Sequence, residues 1–323
     1  MVTVLITGVG GASGIGAIRS LRAETSHEVI GVDMNPAAAG IQLADAGTSV
    51  PAAGDKEWPD AMADVVERFD VSVVIPTVDE ELSELPALSR AISDEVSIVA
   101  PRQDVIDTAI DKYRTTKRLR KAGHDVPRTW LASEVDCVES EAFPLVLKPR
   151  QGRGSRGFHR LDNRDQLSDC LQRVKYEPKE LIVQELLVGD EYTTSVVGTT
   201  DNRLLGVVPK EAVEKEGSTT IGATREAPAV ANSCRAIFET LQPCGPLNIQ
   251  QLLDEAGTPH TIEINPRFSS TSCLTVAAGF DEFDLLIRDA LGKPVTGPDD
   301  YVRDRYLLRY DDHVFVDDED FEQ

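Results

Sequence analysis

Between Thr261 and Arg267 a carboxylate (Glu263), a carboxamide (Asn265) and a guanidinium (Arg267) stand two residues apart. Side chains alternate along a strand, so an extended segment here sends all three to one face and Ile262 and Ile264 to the other. A Glu carboxylate and an Asn carbonyl give a hard divalent cation two oxygen ligands and leave its remaining positions open to phosphate oxygens. The arginine meets a phosphoryl group as a planar fork. A solvated edge strand has the same pattern, so the decision rests on the company this stretch keeps.

That company is cationic and glycine-rich. Phe143 to Arg150 is an apolar run that carries Lys148 close to a core, where its charge needs a partner such as phosphate. The loop that follows holds Gly152, Gly154, Ser155 and Gly157 with two arginines, and such a loop can close over a triphosphate. Leu181 to Glu191 reads as a strand and a short linker whose backbone can read an adenine, with Gln184 accepting from its amine and Glu191 reaching a ribose. Leu247 to Leu253 is a further strand, turning at Asp254–Gly257 to hairpin with His260–Asn265 and set Gln250 beside Glu263. Lys112 opens a basic helix that stops at Gly123.

The elements ahead of these read as a parallel α/β unit. Val2 to Thr7, Glu28 to Asp33, Val71 to Ile75 and Val96 to Ala100 are strands, with helical stretches at 17–22, 59–69 and 80–92. Gly8 to Gly16 is a glycine loop at the first strand's end, and Asp33 closes the second strand, as in a dinucleotide site. Tyr113 and Lys117 add the Tyr-x-x-x-Lys spacing of short-chain dehydrogenases. The glycine spacing from Gly8 to Gly14 departs from that family, and no strand–helix repeats follow Lys117, so the dehydrogenase reading is set aside. Asp79 and Glu80, at a strand's C-terminal end, would bind a substrate amine or cap the next helix.

With 33 Lys and Arg against 55 Asp and Glu, the chain of 323 residues has a formal charge of -22. Such a surface repels phosphate backbones and anionic lipid, so neither nucleic acid nor a membrane is expected as partner. The acid excess suits a halophilic, salt-adapted cytoplasm. Five scattered cysteines without a Cys-x-x-Cys pair suggest neither a disulfide framework nor a zinc site. A cytoplasmic protein is expected, as a monomer or homodimer.

The order Asp-Lys (112), Lys-Pro-Arg (148–150) with a glycine loop, Gln-Glu-Leu-Leu-x-Gly-x-Glu (184–191), Asn-x-Gln (248–250) and Glu-x-Asn-Pro-Arg (263–267) resembles the ATP-grasp superfamily. More narrowly, the chain is similar to stand-alone proteins resembling one half of the carbamoyl phosphate synthase large subunit. The resemblance implies a Rossmann-like pre-ATP-grasp domain (1–109) and a two-lobed α+β ATP-grasp domain (110–323). Within the latter it implies a nucleotide-clamping lobe at about 125–187, a metal-binding lobe at about 188–300 and an acidic tail at 311–323. ATP phosphates would meet Lys112 and Lys148 under a lid at Gly152, Gly154, Ser155 and Gly157. Gln184, with the backbone of Glu185 and Leu187, would hold adenine, and Glu191 the ribose. Gln250, Glu263 and Asn265 would ligate one or two Mg2+, or Mn2+ in its place, and Arg267 would stabilise the transferring phosphoryl group. Lys210 or Lys215 would supply a further phosphate contact. Ser269 and Ser270 would bind a substrate carboxylate or cap the next helix.

Three functions compete on this reading. The first is a ligase joining a small carboxylate to an amine or ammonia through an acyl phosphate. The second is a carbamoyl-phosphate-type half enzyme acting on bicarbonate or carbamate. With a single ATP-grasp unit and no amidotransferase segment, it would need other chains to make a complete synthase. The third is a nucleotide-binding protein without catalysis.

Overall fold

The computed structural model describes residues 1–137, 143–152 and 157–317. It holds three sheets. The first is wholly parallel, in the order β3-β2-β1-β4-β5, from β1 (Thr3–Thr7), β2 (Glu28–Asp33), β3 (Ala46–Ser49), β4 (Val73–Ile75) and β5 (Ser97–Ile98). Its inner strands β1, β2 and β4 are apolar on both faces because helices cover both. Val4, Ile6, Val29, Val73 and Ile75 pack with Ala17, Ile18 and Leu21 of the helix Ala12–Glu24. Leu5, Ile30, Val32 and Val74 face Trp58, Met62, Val65, Leu85 and Leu88 on the other side.

Two local expectations change here. Residues 80–92 form two helices, Asp79–Leu82 and Leu85–Ala91, because Pro86 starts a new helix instead of continuing the old one. The edge strand β3 and the helix Ala39–Leu43 add a connection that Ala-Gly-Thr-Ser, with no apolar run, does not announce.

The second sheet is antiparallel where its strands pair, in the order β6-β9-β7-β8, from β6 (Thr129–Leu131), β7 (Leu145–Pro149), β8 (His159–Leu161) and β9 (Leu181–Glu185). Leu145, Leu147, Leu161, Leu181 and Val183 form its core with Leu167 of the helix Arg164–Arg173, whose N-cap Asn163 accepts from Gln166 N.

The third sheet comprises β10 (Asp190–Gly198), β11 (Leu204–Val208), β12 (Lys210–Glu216), β13 (Ser218–Thr224), β14 (Pro246–Leu253), β15 (Pro259–Asn265) and β16 (Tyr306–Leu308). It runs in the order β15-β14-β10-β12-β13-β16, with β11 also on β10. One face packs Tyr192, Val196, Leu247, Ile249 and Ile264 under the helix Pro228–Leu241. The alternate residues Thr193, Asn248, Gln250, Glu263 and Asn265 are thereby left facing a cleft. β16 starts only after Asp304, which takes a left-handed φ of 55°. Of the tail 311–323, residues 318–323 lie outside the described residues. Among the described residues no helix is long and apolar enough to cross a membrane.

Candidate functional site

The hairpin of β14 and β15 sets the centre of the site. Antiparallel register places Gln250 opposite Glu263 and Asn248 opposite Asn265, as the spacing predicts. Lys112 arrives from the N-terminus of the helix Lys112–Lys121. Asp111 caps that helix, accepting from Tyr113 N at 3.0 Å and Arg114 N at 3.2 Å. The same carboxylate takes Arg150 Nη2 at 2.5 Å, which ties the end of β7 to the helix start. Lys112 Nζ therefore lies 3.0 Å from Glu263 Oε1 and donates to Gly152 O at 2.7 Å.

Glu263 lines three adjoining cavities, of which two are large. The first, about 340 Å³, lies between the second and third sheets. Val146, Leu252 and Ile262 give it apolar walls, the backbone from Glu185 to Leu187 forms one edge, and Lys148 and Glu191 reach into it. Apolar faces with a backbone edge suit a planar base. Gln184 Nε2 donates to Thr129 Oγ1 at 2.9 Å, turning its carbonyl oxygen away from Thr129. The Lys148 ammonium is pushed down to about 8 by burial, which outweighs the attraction of Glu263, while Lys112 and Lys215 add repulsion. A cation so disfavoured gains more than a solvated one from an arriving anion.

The second cavity, about 390 Å³, opens between the C-terminal ends of the parallel strands and the third sheet. Gly8, Gly11 and Ser13 of the glycine loop, Thr77, Thr193, Thr219, Ser269 and Ser270 contribute small polar surfaces. Glu81 lies under this wall, receiving a hydrogen bond from Thr7 Oγ1, while Thr77 Oγ1 donates to Thr7 O at 2.7 Å. Burial raises its carboxyl to about 7. Asp33 does not face outward as a ribose reader: its Oδ2 accepts from Gly10 N at 2.7 Å and its Oδ1 from Asn35 N at 2.9 Å. Tyr113 and Lys117 line neither cavity. The dehydrogenase constellation is not assembled.

A family model of the ATP-grasp domain matches residues 109–271, half of the chain, and a model of the PylC-like N-terminal domain matches 4–99. The chain belongs to the ATP-grasp family. The carbamoyl phosphate synthase large chain of Pseudomonas putida is 27% identical over 311 residues, 87% of this chain but 28% of that protein. The chain thus spans under a third of the curated relatives it matches. Among solved structures, biotin carboxylase from Campylobacter jejuni, in complex with β,γ-ATP, shares the fold at a TM-score of 0.72 and 15% identity, over 95% of this chain and 74% of that one. So does the biotin carboxylase domain dimer of Hydrogenobacter thermophilus 2-oxoglutarate carboxylase, with MgADP, ADP and bicarbonate, at 0.68 and 16%, over 91% and 70%.

Several ATP-grasp expectations find a more specific neighbour than the sequence names. Arg267 is nearly buried and held by Asp79, Nε to Oδ1 at 2.6 Å and Nη2 to Oδ2 at 2.9 Å. It also donates to Phe268 O at 3.1 Å and lies 3.4 Å from Asn265 Oδ1. The guanidinium thus takes both Asp79 oxygens, while Asp79 and Glu80 also line a smaller cavity of about 140 Å³ beside Asn265. Glu191 pairs with Lys215 at 2.5 Å, and Lys215 lines both cavities. Lys210 is a correction: wholly buried, it donates to Ser195 Oγ at 2.5 Å and Thr275 Oγ1 at 2.8 Å, inside the core and away from any phosphate. Ser269 Oγ accepts from Thr271 N at 3.1 Å, and Ser270 lines the second cavity. Gly152 borders the first cavity, whereas Gly157, with a left-handed φ of 71°, packs against Pro149. Gly154 and Ser155 lie outside the described residues.

Among the described residues no group of three or more His, Cys, Asp or Glu would hold a metal by itself. Glu263, with the carboxamides of Gln250 and Asn265, nevertheless fits one, and the Lys112 ammonium already holds positive charge against that carboxylate. With one formal charge among three donors, the remaining affinity has to come from phosphate oxygens.

Proposed function

We propose that this chain is an ATP-dependent ligase that activates a small carboxylate as an acyl phosphate for attack by an amine or ammonia, releasing ADP and phosphate. The observation that carries the proposal is the position of Glu263, which faces a cavity shaped for a base and its phosphates on one side and a polar cavity on the other. In this reading Lys112 and Lys148 hold the phosphates, the 185–187 backbone and Gln184 hold adenine, and Glu191 the ribose. Gln250, Glu263 and Asn265 hold Mg2+, which neutralises phosphate charge when bound. Gly152, whose carbonyl accepts from Lys112 Nζ at the border of the first cavity, lies beside the triphosphate. Arg267, preorganised by Asp79, supplies positive charge beside Asn265.

The acceptor's carboxylate oxygen, in the second cavity, forms a bond to the terminal phosphorus as the bond to the ADP oxygen breaks. The amine nitrogen then attacks the acyl carbon, phosphate leaves with the bonding pair, and the nitrogen loses a proton. Positioning and preorganised charge provide the acceleration, since no protein atom becomes covalently attached.

A second reading, phosphorylation of bicarbonate or carbamate, is favoured by the carbamoyl phosphate synthase relatives, of which this chain spans a part. ADP release should be measured across small carboxylates, amino acids and bicarbonate, with and without ammonia. Release with bicarbonate alone selects the second reading. No release with any member, while ADP still binds, leaves a nucleotide-binding protein without catalysis. The domain division near 109/110, a cytoplasmic setting and a monomer or homodimer complete the proposal.

A further inference from the structure

The C-terminal segment lies beyond both family matches, which stop at residues 99 and 271. It nevertheless reaches three walls of the second cavity. β16 pairs with β13, Leu308 opposite Ile221, and brings Arg309 to the point where β13 begins to line that cavity. There Arg309 N donates to Thr220 O at 2.9 Å, its Nε to Thr219 O at 2.6 Å and its Nη2 to Ser270 O at 2.5 Å. Thr219 belongs to the β12–β13 hairpin and Ser270 to the loop after β15, and both line the cavity although Arg309 itself does not. Three residues on, the carboxylate of Asp312 takes Arg19 Nη2 at 2.9 Å. Arg19 is on the helix whose first residues, Ala12 and Ser13, are the third wall.

These contacts are unequal. The Arg19–Asp312 pair is half exposed on both sides and contributes little. The Arg309 fork is different, because one planar group satisfies two backbone carbonyls from elements 51 residues apart in the chain. It joins the hairpin wall to the loop wall at this edge.

We infer that Arg309 is a positioning residue for the acceptor: its guanidinium fixes the separation of the Thr219 and Ser270 walls and so sets which acceptor carboxylates the second cavity takes. The inference rests on reading that cavity as the acceptor's. Lysine keeps the charge but not the fork, so Arg309→Lys and Arg309→Ala differ in geometry at equal or lower charge.

The test compares wild type with both variants in three measurements: ADP affinity by calorimetry, steady-state ADP release with the best acceptor from the panel above, and amide exchange. ADP affinity within twofold of wild type establishes that the nucleotide cavity is intact. Arg309→Ala is then expected to raise the acceptor KM about tenfold with kcat and the ATP KM within about twofold, and Arg309→Lys to fall between. An unchanged acceptor KM and an unchanged preference across the panel overturn the inference. If wild type turns over no member of the panel, the ligase reading fails, and amide exchange decides this one separately. Faster exchange confined to residues 217–222 and 269–273 in Arg309→Ala supports the positioning role; exchange equal to wild type refutes it.

Discussion

The cavity on the nucleotide side takes its walls from β7, β9, β14 and β15 and the short linker after β9, whereas the second cavity draws on residues from Gly8 to Ser270. The first has apolar faces supplied by regular strands of the second and third sheets where the two meet. The second has small hydroxyls and glycines contributed by two different sheets and the loops between them. A base with phosphates is the same ligand wherever it binds, so its site can be built from regular strands. A variable acceptor is better served by loops on a fixed scaffold, where substitution disturbs little else.

Glu263 belongs to both cavities, and its removal should strike hardest. Glu263→Gln is expected to lower turnover by about 10³-fold in an ADP-release assay, the scale seen when one preorganised electrostatic group is lost. Thermal unfolding should stay near wild type, since the side chain is part-exposed and its Lys112 partner retains Gly152 O. Turnover within threefold of wild type would break the claim that the cavities share a centre.

Glu81 tests the acceptor side alone. Its carboxyl is raised from the ordinary 4.5 to about 7 by burial, so the folded chain holds a proton that the unfolded chain has released across that window. Stability contributed at this site therefore falls as pH rises from 4.5 to about 7 and stays low above. The shift corresponds to roughly 3 kcal/mol. Urea unfolding of Glu81→Gln should show a gain over wild type that is small at pH 5 and approaches this value at pH 8; an equal difference at both pH values refutes the assignment.

Lys148 tests the nucleotide side. Lys148→Ala should weaken ATP binding by about 1.5–3 kcal/mol, the range for a charge-assisted contact, and leave the acceptor KM unmoved. The smallest effect is its pH dependence. In the free protein this ammonium loses its proton near pH 8. Phosphate favours the charged form, so binding takes up a proton above that pH and affinity falls as pH rises, by at most about tenfold per unit. Calorimetry in buffers of different ionisation enthalpy should register the uptake in wild type and none in Lys148→Arg.

The same contrast explains what was legible in the sequence. Strand alternation placed Glu263, Asn265 and Gln250 on one face with Ile264 packed on the other, but it misplaced Ile262, which a bulge opposite Gln250 and Gln251 turns into the wall of the first cavity. Lys148 was legible for a similar reason, as the polar residue of an apolar strand. The partners of Asp79 and Glu191 were not. They sit 188 and 24 residues away, and nothing local in Asp-Glu-Glu or in a single Lys215 encodes that meeting. Lys210 misled because a lysine on a strand looks the same whether it faces phosphate or, as here, two hydroxyls in the core. Pro86 did give notice of a helix boundary, and the amphipathic pattern across 80–92 overrode it.

The Asp79–Arg267 pair joins the parallel-sheet unit to the strand that carries Glu263. Burial works against the guanidinium's charge, yet Asp79 holds its pKa above the ordinary value. Any rocking of those two units against each other would first have to strip a low-dielectric ion pair of its partner, a costly event. The strand that carries Glu263 is thereby clamped to the parallel-sheet unit, and the second cavity between them is held to one width.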